Sequence, residues 1–230
     1  MSDLRIGCNI HEKIPTRTQK IVILDSPDGT GKTEIAYALS KELKVPYFRM
    51  ATQHENWRKN KFKEALEFDQ TYLAEFVRQT RASVVIDRAY PAEWVYSQVF
   101  KRPTNMDVLK TVDEAFARMG AYIVIPLRHD YSKSRKDEVV SPDKLKPLHD
   151  KYLEFREWTL CSTVTIYVDA FNNDLKKQLP LIIDELDFAR NMGMNFDITL
   201  DRPVAEKDVS ALFKRDPIAS RSFGIKKGTR

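Results

Sequence analysis

Short apolar runs recur along this chain at intervals that suit the strands of a sheet. The clearest runs lie within residues 20–25, 83–87 and 121–127. Each of them is continuously apolar at its centre, which is typical of a parallel strand that is covered on both faces. Further strands, the last of them at an edge, are predicted for three less uniform runs: 47–49, 163–169 and 196–200.

The segments between these runs repeat their apolar residues with the spacing of a helix. Such segments cover residues 32–44, 61–79, 108–119 and 174–190. Another helix is predicted to begin at Ser141, because serine caps helices and Pro142 suits the first helical position. The alternation of strand and helix predicts an α/β fold. We expect a three-layer sandwich in which helices flank a parallel sheet and ligands bind at the carboxyl ends of the strands.

The composition indicates one globular domain. Hydrophobic residues make up 42% of the chain and charged residues 31%, and no apolar run approaches the roughly 18 residues that a membrane-spanning helix needs. Residues 1–19 are a polar lead without the features of a secretory signal, so we expect a cytoplasmic protein without membrane association. The domain is expected to span 20–213, with a basic, mobile lid at about 128–140 and a basic tail at 214–230.

The net charge of +5 does not by itself identify a partner. Residues 214–230 carry six Lys or Arg and one acid, which accounts for the whole excess and leaves the rest of the chain nearly neutral. Such a tail could contact nucleic acid, but a solvated basic terminus is the interpretation we prefer. The charge suits an enzyme with nucleotide substrates equally well.

A predicted strand and a predicted helix flank residues 25–33, whose sequence is Asp-Ser-Pro-Asp-Gly-Thr-Gly-Lys-Thr. This loop fits the phosphate-binding pattern GxxxxGK[ST], except that Ser26 stands in place of the first glycine. Its glycines allow backbone N–H groups to approach phosphate oxygens, Lys32 can reach the terminal phosphates, and Thr33 offers a hydroxyl to Mg²⁺. The loop therefore predicts a phosphotransferase that uses ATP and Mg²⁺. The loop residues expected to bind ATP are Asp28, Gly29, Thr30, Gly31, Lys32 and Thr33.

A second candidate motif, Asp87-Arg88, ends the predicted strand at 83–87. An acid at a strand end can hold Mg²⁺ through water, and an arginine can bind a phosphate with two hydrogen bonds. An ordinary ion pair is the alternative, but the phosphate loop in the same chain favours the functional interpretation. We expect Asp87 and Arg88 to be catalytic residues together with Lys32.

At these two motifs the chain resembles the thymidylate kinase family of nucleoside monophosphate kinases. The loop at 25–33 is similar to the family's acid-Gly-x-acid-Gly-x-Gly-Lys-Thr pattern, and Tyr96 stands nine positions after Asp87. The order of elements agrees from about 20 to 190, and residues 90–98 look like the longer variant of phage-encoded members. The resemblance implies the P-loop fold of nucleotide kinases.

The resemblance also implies a role for each matching residue. Asp28 would contact the sugar hydroxyl of the acceptor, Arg88 its phosphate, and Tyr96 its nucleoside. Asp25 or Asp87 would help to bind Mg²⁺.

Two departures from the family pattern lie on the acceptor side. Arg49 is followed by Met50-Ala51 where the family has Arg-Glu-Pro, so the phosphate role of the arginine is retained but the acid is missing. Ser97 stands where the family commonly has Gln. Both departures leave the base specificity open.

The resemblance implies that the catalytic cation lies in the lid. Family members with glycine rather than arginine at the position of Gly29 take their catalytic cation from the lid. The lid candidates are Arg128, Lys133, Arg135 and Lys136, of which we choose Arg135 as the catalytic residue and Arg128 as an ATP-binding residue. Phe68 is a further candidate for contact with the substrate, although aromatic residues at helical spacing usually belong to the core.

The leading hypothesis is transfer of the ATP γ-phosphate to the 5′-phosphate of a deoxynucleoside monophosphate, dTMP or a relative. A deoxynucleoside kinase is an alternative, but it needs a carboxylate base after the second strand, where Arg49 stands and Glu55 follows a few residues on. A kinase that acts on a hydroxyl in polynucleotide would suit the basic tail. From another class, a regulatory nucleotide-binding module without catalysis is left open by Ser26. A homodimer is possible, and the sequence does not decide whether the chain dimerises.

Overall fold

The computed structural model describes residues 19–49, 62–132, 140–192, 196–201 and 226–227, and of the residues 62–69, 188–192, 196 and 226–227 it describes the backbone alone. Several sequence predictions lie outside this description. They concern Lys133, Arg135, Lys136, the side chain of Phe68, residues 1–18 of the polar lead and most of the basic tail.

Strands and helices alternate in the described chain as the hydrophobic pattern predicts. The strands are β1 (Ile21–Leu24), β2 (Tyr47–Arg49), β3 (Val84–Asp87), β4 (Tyr122–Leu127), β5 (Ser162–Tyr167), β6 (Phe196–Leu200) and β7 (Lys226–Lys227). The helices are α1 (Lys32–Glu42), α2 (Phe62–Thr80), α3 (Tyr90–Val99), α4 (Met106–Met119), α5 (Pro142–Trp158) and α6 (Leu175–Met192). The strand predicted for residues 163–169 ends earlier in the structure. β5 ends at Tyr167, and a 3-10 helix over Val168–Phe171 follows it.

One sheet joins all seven strands in the order β2-β3-β1-β4-β5-β6-β7. The first six strands pair in parallel, and β7 pairs antiparallel with β6. The predicted α/β class with a parallel sheet between helices is therefore confirmed. The hydrophobic pattern did not predict β7, nor α3 as a separate helix.

Apolar side chains on both faces of the sheet form two core clusters. On one face, Ile21 and Ile23 of β1 pack with residues of α2 to α5, among them the fully buried Phe116. On the other face, Val22 and Leu24 pack with residues of α1 and α6. Successive residues of β1 point to opposite faces, so a strand between two helical layers has to be apolar throughout. This requirement explains the continuous apolar run.

The position of β1 in the middle of the sheet brings several loops to one edge. β1 lies between β3 and β4, and Leu24 is in register with both Asp87 and Val124. Arg49 at the end of β2 is in register with Asp87 as well. The carboxyl ends of parallel strands meet at the same edge, which is where open α/β sheets bind ligands.

Among the described helices, none is long and apolar enough to cross a membrane.

Candidate active site

The chain turns sharply between β1 and α1. Gly29 and Gly31 have φ angles of 79° and 77°, in the left-handed region that glycine enters without steric cost. Gly31 precedes the first residue of α1, and no side chain caps the helix there. The backbone N–H groups of the first turn thus lack a side-chain acceptor, and they carry the positive end of the helix dipole. This loop has the features of a phosphate-binding site.

Ser26, the residue that departs from the glycine pattern, fits into the loop without strain. It is fully buried, and it is absent from the residues of the described chain with positive φ, so its position does not require glycine. Its hydroxyl lies 2.6 Å from that of Thr30, and both hydroxyls are within hydrogen-bond distance of the carbonyl oxygen of Pro27. The serine therefore links positions 26 and 30 across the turn of the loop.

Asp25 is fully buried at the start of the loop, where its carboxylate accepts four hydrogen bonds. One oxygen accepts from the backbone N–H of Ser26 at 3.0 Å and from the hydroxyl of Tyr152 at 2.7 Å. The other accepts from the backbone N–H groups of Ala89 and Ala92, at 3.1 and 2.9 Å. Burial raises the pKa of Asp25 above its ordinary value, against the opposing effects of Arg88 and of these hydrogen bonds. Asp25 thus connects the phosphate loop to β3, α3 and α5.

Replacing Tyr152 with phenylalanine should lower the free energy of unfolding by about 2 kcal/mol, because a hydrogen bond to a carboxylate is lost in a fully buried place. Chemical denaturation monitored by circular dichroism measures this change. Tyr37→Phe, at a tyrosine that is 51% exposed, is the matched control and should change the stability much less. An equal effect of the two substitutions would show that Asp25 does not depend on the Tyr152 hydroxyl.

The carboxylate of Asp28 brings together the residues expected on the donor side and on the acceptor side. Its Oδ1 accepts from Lys32 Nζ at 3.2 Å and also from Arg88 Nη2. Its Oδ2 accepts from the hydroxyl of Tyr96 at 3.0 Å. Burial alone would raise the pKa of Asp28, but the positive charges of Lys32 and Arg88 outweigh it and lower that pKa.

The two cations beside Asp28 differ in how burial affects them. Burial lowers the pKa of Lys32, and the positive charge of Arg88 lowers it further, with Asp28 opposing both effects. Burial also acts to lower the pKa of Arg88, but interactions with Tyr96 and Asp28 hold it above its ordinary value. Arg88 therefore stays charged under all ordinary conditions, and its side chain is 22% exposed, so it could bind an anion.

The two carboxylate oxygens of Asp87 differ in their hydrogen bonding. Oδ2 accepts from the hydroxyl of Tyr47 at 2.8 Å and lies 3.7 Å from Arg49 Nε. Burial and the neighbouring Asp87 raise the pKa of Tyr47 to about 12, so its hydroxyl remains a donor. Oδ1 is buried and has no hydrogen-bond partner among the described residues. A buried carboxylate oxygen without a donor fits a Mg²⁺ ion or its bound water.

Arg128 lies over the phosphate loop. It follows β4 directly, and its Nε donates to the carbonyl oxygen of Gly29 at 2.8 Å. Thr33 is half-buried in the first turn of α1, directly after Lys32. Both residues are thus at the edge of the sheet where the sequence predicted them.

Most of the predicted site residues come together at this edge. They are Asp25, Asp28, Gly29, Thr30, Gly31, Lys32, Thr33, Arg49, Asp87, Arg88, Tyr96 and Arg128. Sequence reasoning missed Tyr47 and Tyr152, which bind the two carboxylates at the strand ends. Each stands in an ordinary strand or helix pattern, and no local signal distinguishes it from a core tyrosine.

No protein-family model matches this chain, and no curated protein is detectably similar to it in sequence. Among solved structures, the chain is similar to the YorR protein from Bacillus subtilis in complex with phosphorylated GDP. The TM-score is 0.56 at 22% identity, over 74% of this chain and 98% of that chain.

Two further structures resemble the chain less closely. They are deoxyadenosine kinase from M. mycoides, with a TM-score of 0.46 at 16% identity over 72% of this chain and 98% of that one, and thymidylate kinase from Ehrlichia chaffeensis, with 0.46 at 15% over 74% and 98%. At TM-scores below 0.5, these two likenesses support no inference about function. The parallel sheet, its two helical layers and the likeness to the YorR protein together show that this chain has a three-layer α/β fold with a glycine-containing loop after the central strand β1.

Proposed function

We propose that the chain transfers the γ-phosphate of ATP to the 5′-phosphate of a deoxynucleoside monophosphate, dTMP or a relative, and so forms the diphosphate. The observation that best supports this function is the shared oxygen of Asp28, which accepts from both Lys32 and Arg88. Lys32 belongs to the phosphate loop of the donor, whereas Arg88 follows β3 on the acceptor side. The proposed ligand of the donor phosphate, Lys32, is therefore adjacent to the proposed ligand of the acceptor phosphate, Arg88.

Transfer between two phosphates depends on charge neutralisation and alignment more than on covalent participation of the protein. In the proposed step, an oxygen of the acceptor phosphate forms a bond to the γ-phosphorus, and the bond from that phosphorus to the bridging oxygen breaks. The electron pair of the broken bond leaves with ADP. The attacking oxygen is already anionic, so the step requires no general base.

A hydroxyl acceptor would instead need a base, and the two loop carboxylates suit that role poorly. The pKa of Asp28 is lowered by its cations once burial is overcome, and both its oxygens accept hydrogen bonds. Asp25 has no exposed surface and accepts from four donors. A phosphate acceptor therefore fits this site better than the hydroxyl of a nucleoside or of a polynucleotide.

The proposed donor site consists of residues 28–33 with Arg128, and the acceptor site of Arg49, Arg88, Asp28 and Tyr96. Tyr96 and Asp28 would contact the sugar, and the two arginines the phosphate. Arg135 remains the proposed lid cation and Phe68 the proposed base contact, both outside the described side chains. Thr33 and Asp87 would hold Mg²⁺, which when bound neutralises charge on the ATP phosphates.

We propose a positioning role for Asp25 in place of the magnesium role expected from its sequence position. Direct coordination of a metal would displace at least one of its four donors. Two of these donors, Ala89 and Ala92, border Arg88 and the start of α3. Asp25 therefore fixes the distance between the donor loop and the acceptor arginine.

Asp87→Asn should raise the Mg²⁺ concentration needed for half-maximal activity by about tenfold or more, because a neutral amide replaces a carboxylate oxygen that lacks a partner. The measurement is ADP release as a function of Mg²⁺ at saturating substrates. Asp150→Asn, at an exposed acid of α5 that pairs with Lys146, should leave the requirement unchanged. An unchanged requirement in Asp87→Asn would remove Asp87 from the metal site.

The proposed function is tested by ADP release against a panel of nucleosides, deoxynucleoside monophosphates and oligonucleotides. Turnover with monophosphates alone is the expected result. Turnover with nucleosides or with oligonucleotides would replace the proposal by one of the hydroxyl kinases. ATP binding without release of ADP on any acceptor would favour a nucleotide-binding module.

A further inference from the structure

Arg128 lies at the point where the pairing of β4 with β5 ends. The two strands pair in parallel as far as Leu127 and Tyr167. After Tyr167 the chain turns into the 3-10 helix over Val168–Phe171, so this pairing does not continue to Arg128. The side chain of Arg128 nevertheless has a defined position, because its Nε donates to the carbonyl oxygen of Gly29 at 2.8 Å. Groups other than a strand therefore have to hold the backbone around Arg128.

The carboxylate of Asp169 binds the backbone directly after Arg128. Its Oδ2 accepts from the N–H groups of His129 and Asp130, at 2.8 and 3.1 Å. Its Oδ1 lies 3.0 Å from Nδ1 of the His129 ring. Burial acts to raise the pKa of Asp169, but the N–H of Asp130 and the contacts with His129 outweigh it and lower that pKa. The carboxylate is therefore ionised at neutral pH, and hydrogen bonds to an ionised acceptor are the stronger ones.

Asp169 is itself fixed to the core of the fold. Val168 and Phe171, the two ends of its 3-10 helix, are 2% and 1% exposed and belong to the core cluster on the side of α1 and α6. The backbone N–H of Asn172 donates to the carbonyl oxygen of Asp169 at 3.1 Å, and Gln178 of α6 donates to that of Val168 at 3.4 Å. A side chain on such a well-packed element can hold a neighbouring segment in one place.

A second set of contacts holds the same segment from the side of α5. The backbone N–H of Arg128 donates to the hydroxyl of Tyr131 at 3.4 Å, and that hydroxyl lies 3.3 Å from Nδ1 of His149. The ring of His129 stacks on that of Tyr167, with centroids 4.1 Å apart and planes at 21°. Three consecutive backbone N–H groups, beginning with that of Arg128, thus donate to side chains. These side chains set the direction in which the chain leaves β4.

We propose that Asp169 is a positioning residue for the donor nucleotide, which acts by holding Arg128 over the phosphate loop. The inference rests on the proposed function, in which Arg128 binds ATP, and it adds a residue from the other end of the β4–β5 pair. His129 and Asp130 are exposed, and polar contacts of exposed residues contribute little to the stability of a fold. The main consequence of these contacts is therefore the position of Arg128.

Positioning matters for an arginine because its long side chain has many rotamers. A ligand that has to order such a side chain loses affinity, whereas a side chain held in place beforehand binds without this cost. The bond from Arg128 Nε to Gly29 orders the side chain only while the backbone of Arg128 stays at a fixed distance from the loop. Without the Asp169 carboxylate, two of the three backbone N–H groups lose their acceptor and this distance is no longer fixed.

The test is a double-mutant cycle on the affinity for ATP. Titration calorimetry with ATP and Mg²⁺, without acceptor, gives the Kd of the wild type, Asp169→Ala, Arg128→Ala and the double variant. Each single substitution should raise the Kd by about tenfold or more, and the double variant should bind about as well as Arg128→Ala, because Asp169 acts through Arg128. Asp169→Asn, which keeps one acceptor oxygen, should lose less affinity than Asp169→Ala.

Initial rates and a control variant separate positioning from a general loss of structure. The KM for ATP should rise in Asp169→Ala, while kcat and the KM for the acceptor stay within about twofold of the wild type. Asn105→Ala is the matched control, since Asn105 also accepts from two backbone N–H groups, those of Asp107 and Val108, but at the start of α4. It should leave the Kd for ATP unchanged.

Two results would overturn the inference. One is an unchanged Kd in Asp169→Ala, and the other is an equal loss of affinity from this substitution with and without Arg128, which would show that Asp169 does not act through the arginine. If thermal unfolding shows that Asp169→Ala does not fold, the same cycle with Asp169→Asn decides between these results. Coupled binding of ATP without transfer to any acceptor would contradict the proposed function and support the positioning role. A wild type that does not bind ATP would overturn both.

Discussion

Replacing Lys32 with alanine should reduce phosphoryl transfer by about 10³-fold or more while the chain remains folded. Lys32 lies in the first turn of α1, only 7% exposed, and its amine donates to Asp28 within the loop that we propose holds the phosphates of the donor. Loss of one such preorganised group from a poorly solvated site costs about 10²- to 10³-fold in turnover, and phosphoryl transfer is especially sensitive to lost positive charge. The measurement is ADP release at saturating ATP and acceptor.

The fold should tolerate this change, because burial already disfavours the charged form of Lys32 and Asp28 retains Arg88 as a partner. Thermal unfolding checks that expectation. Lys41→Ala provides a matched control on the same helix, since the Lys41 amine lies 4.3 Å from the centre of the exposed Tyr37 ring and away from the loop. Turnover near the wild-type level in a folded Lys32→Ala protein would mean that the loop does not hold the donor.

The central part of the fold could be predicted because its physical cause is visible in a short stretch of sequence. Ile21 to Leu24 are all buried, two on each face of the sheet, and a strand between two helical layers requires such a run of consecutive apolar residues. The loop that follows could also be recognised from the sequence, by its glycines and its lysine, and in the structure Gly29 and Gly31 take the left-handed conformation that glycine enters without steric cost.

The partners of the buried carboxylates could not be predicted in this way. The hydroxyl of Tyr152 reaches Asp25 across 127 positions of sequence, and its place on α5 looks like that of any core tyrosine. A carboxylate at a strand end therefore suggested a metal ligand, and three of the four donors to Asp25 are visible only once Ala89, Ala92 and Tyr152 are packed around it. Long-range packing decides the role of such a residue, and local pattern does not report it.

The role of Ser26 could not be predicted from the sequence for a related reason. In the sequence it is a departure from the glycine pattern, and it kept a non-catalytic interpretation open. In the structure its hydroxyl pairs with that of Thr30 four positions on, so the departure is matched by a partner within the same loop. The pairing depends on the turn that brings positions 26 and 30 together, and the loop geometry had to be known before the match could be recognised.

Arg88→Ala should raise the KM for the acceptor and lower kcat/KM for it by about 10²-fold or more, with little change in the KM for ATP. Truncation of one partner in a buried pair of charges costs about 2–5 kcal/mol, and here it also removes the proposed ligand of the acceptor phosphate. Arg88 has a φ of 70°, a strained conformation for a residue with a side chain, and its N–H donates to the carbonyl oxygen of Leu24 at 2.9 Å. Backbone strain is enriched at functional sites, and Arg88 combines it with a contact to Asp28 in the phosphate loop, so Arg88 is the residue we expect to set the acceptor position.

Initial rates at varied acceptor and fixed ATP separate this effect from a general loss of activity. Arg88→Lys keeps the charge without the forked geometry of the guanidinium, and it should recover only part of the lost kcat/KM. Arg78→Ala serves as the matched control, because Arg78 is an exposed arginine on α2 whose pairing with Glu75 lies away from the sheet edge. If Arg88→Ala instead raised the KM for ATP and left that for the acceptor unchanged, Arg88 would belong to the donor site and the acceptor phosphate would need another ligand, for which Arg49, 3.7 Å from Asp87, is the remaining candidate in the described part of the site.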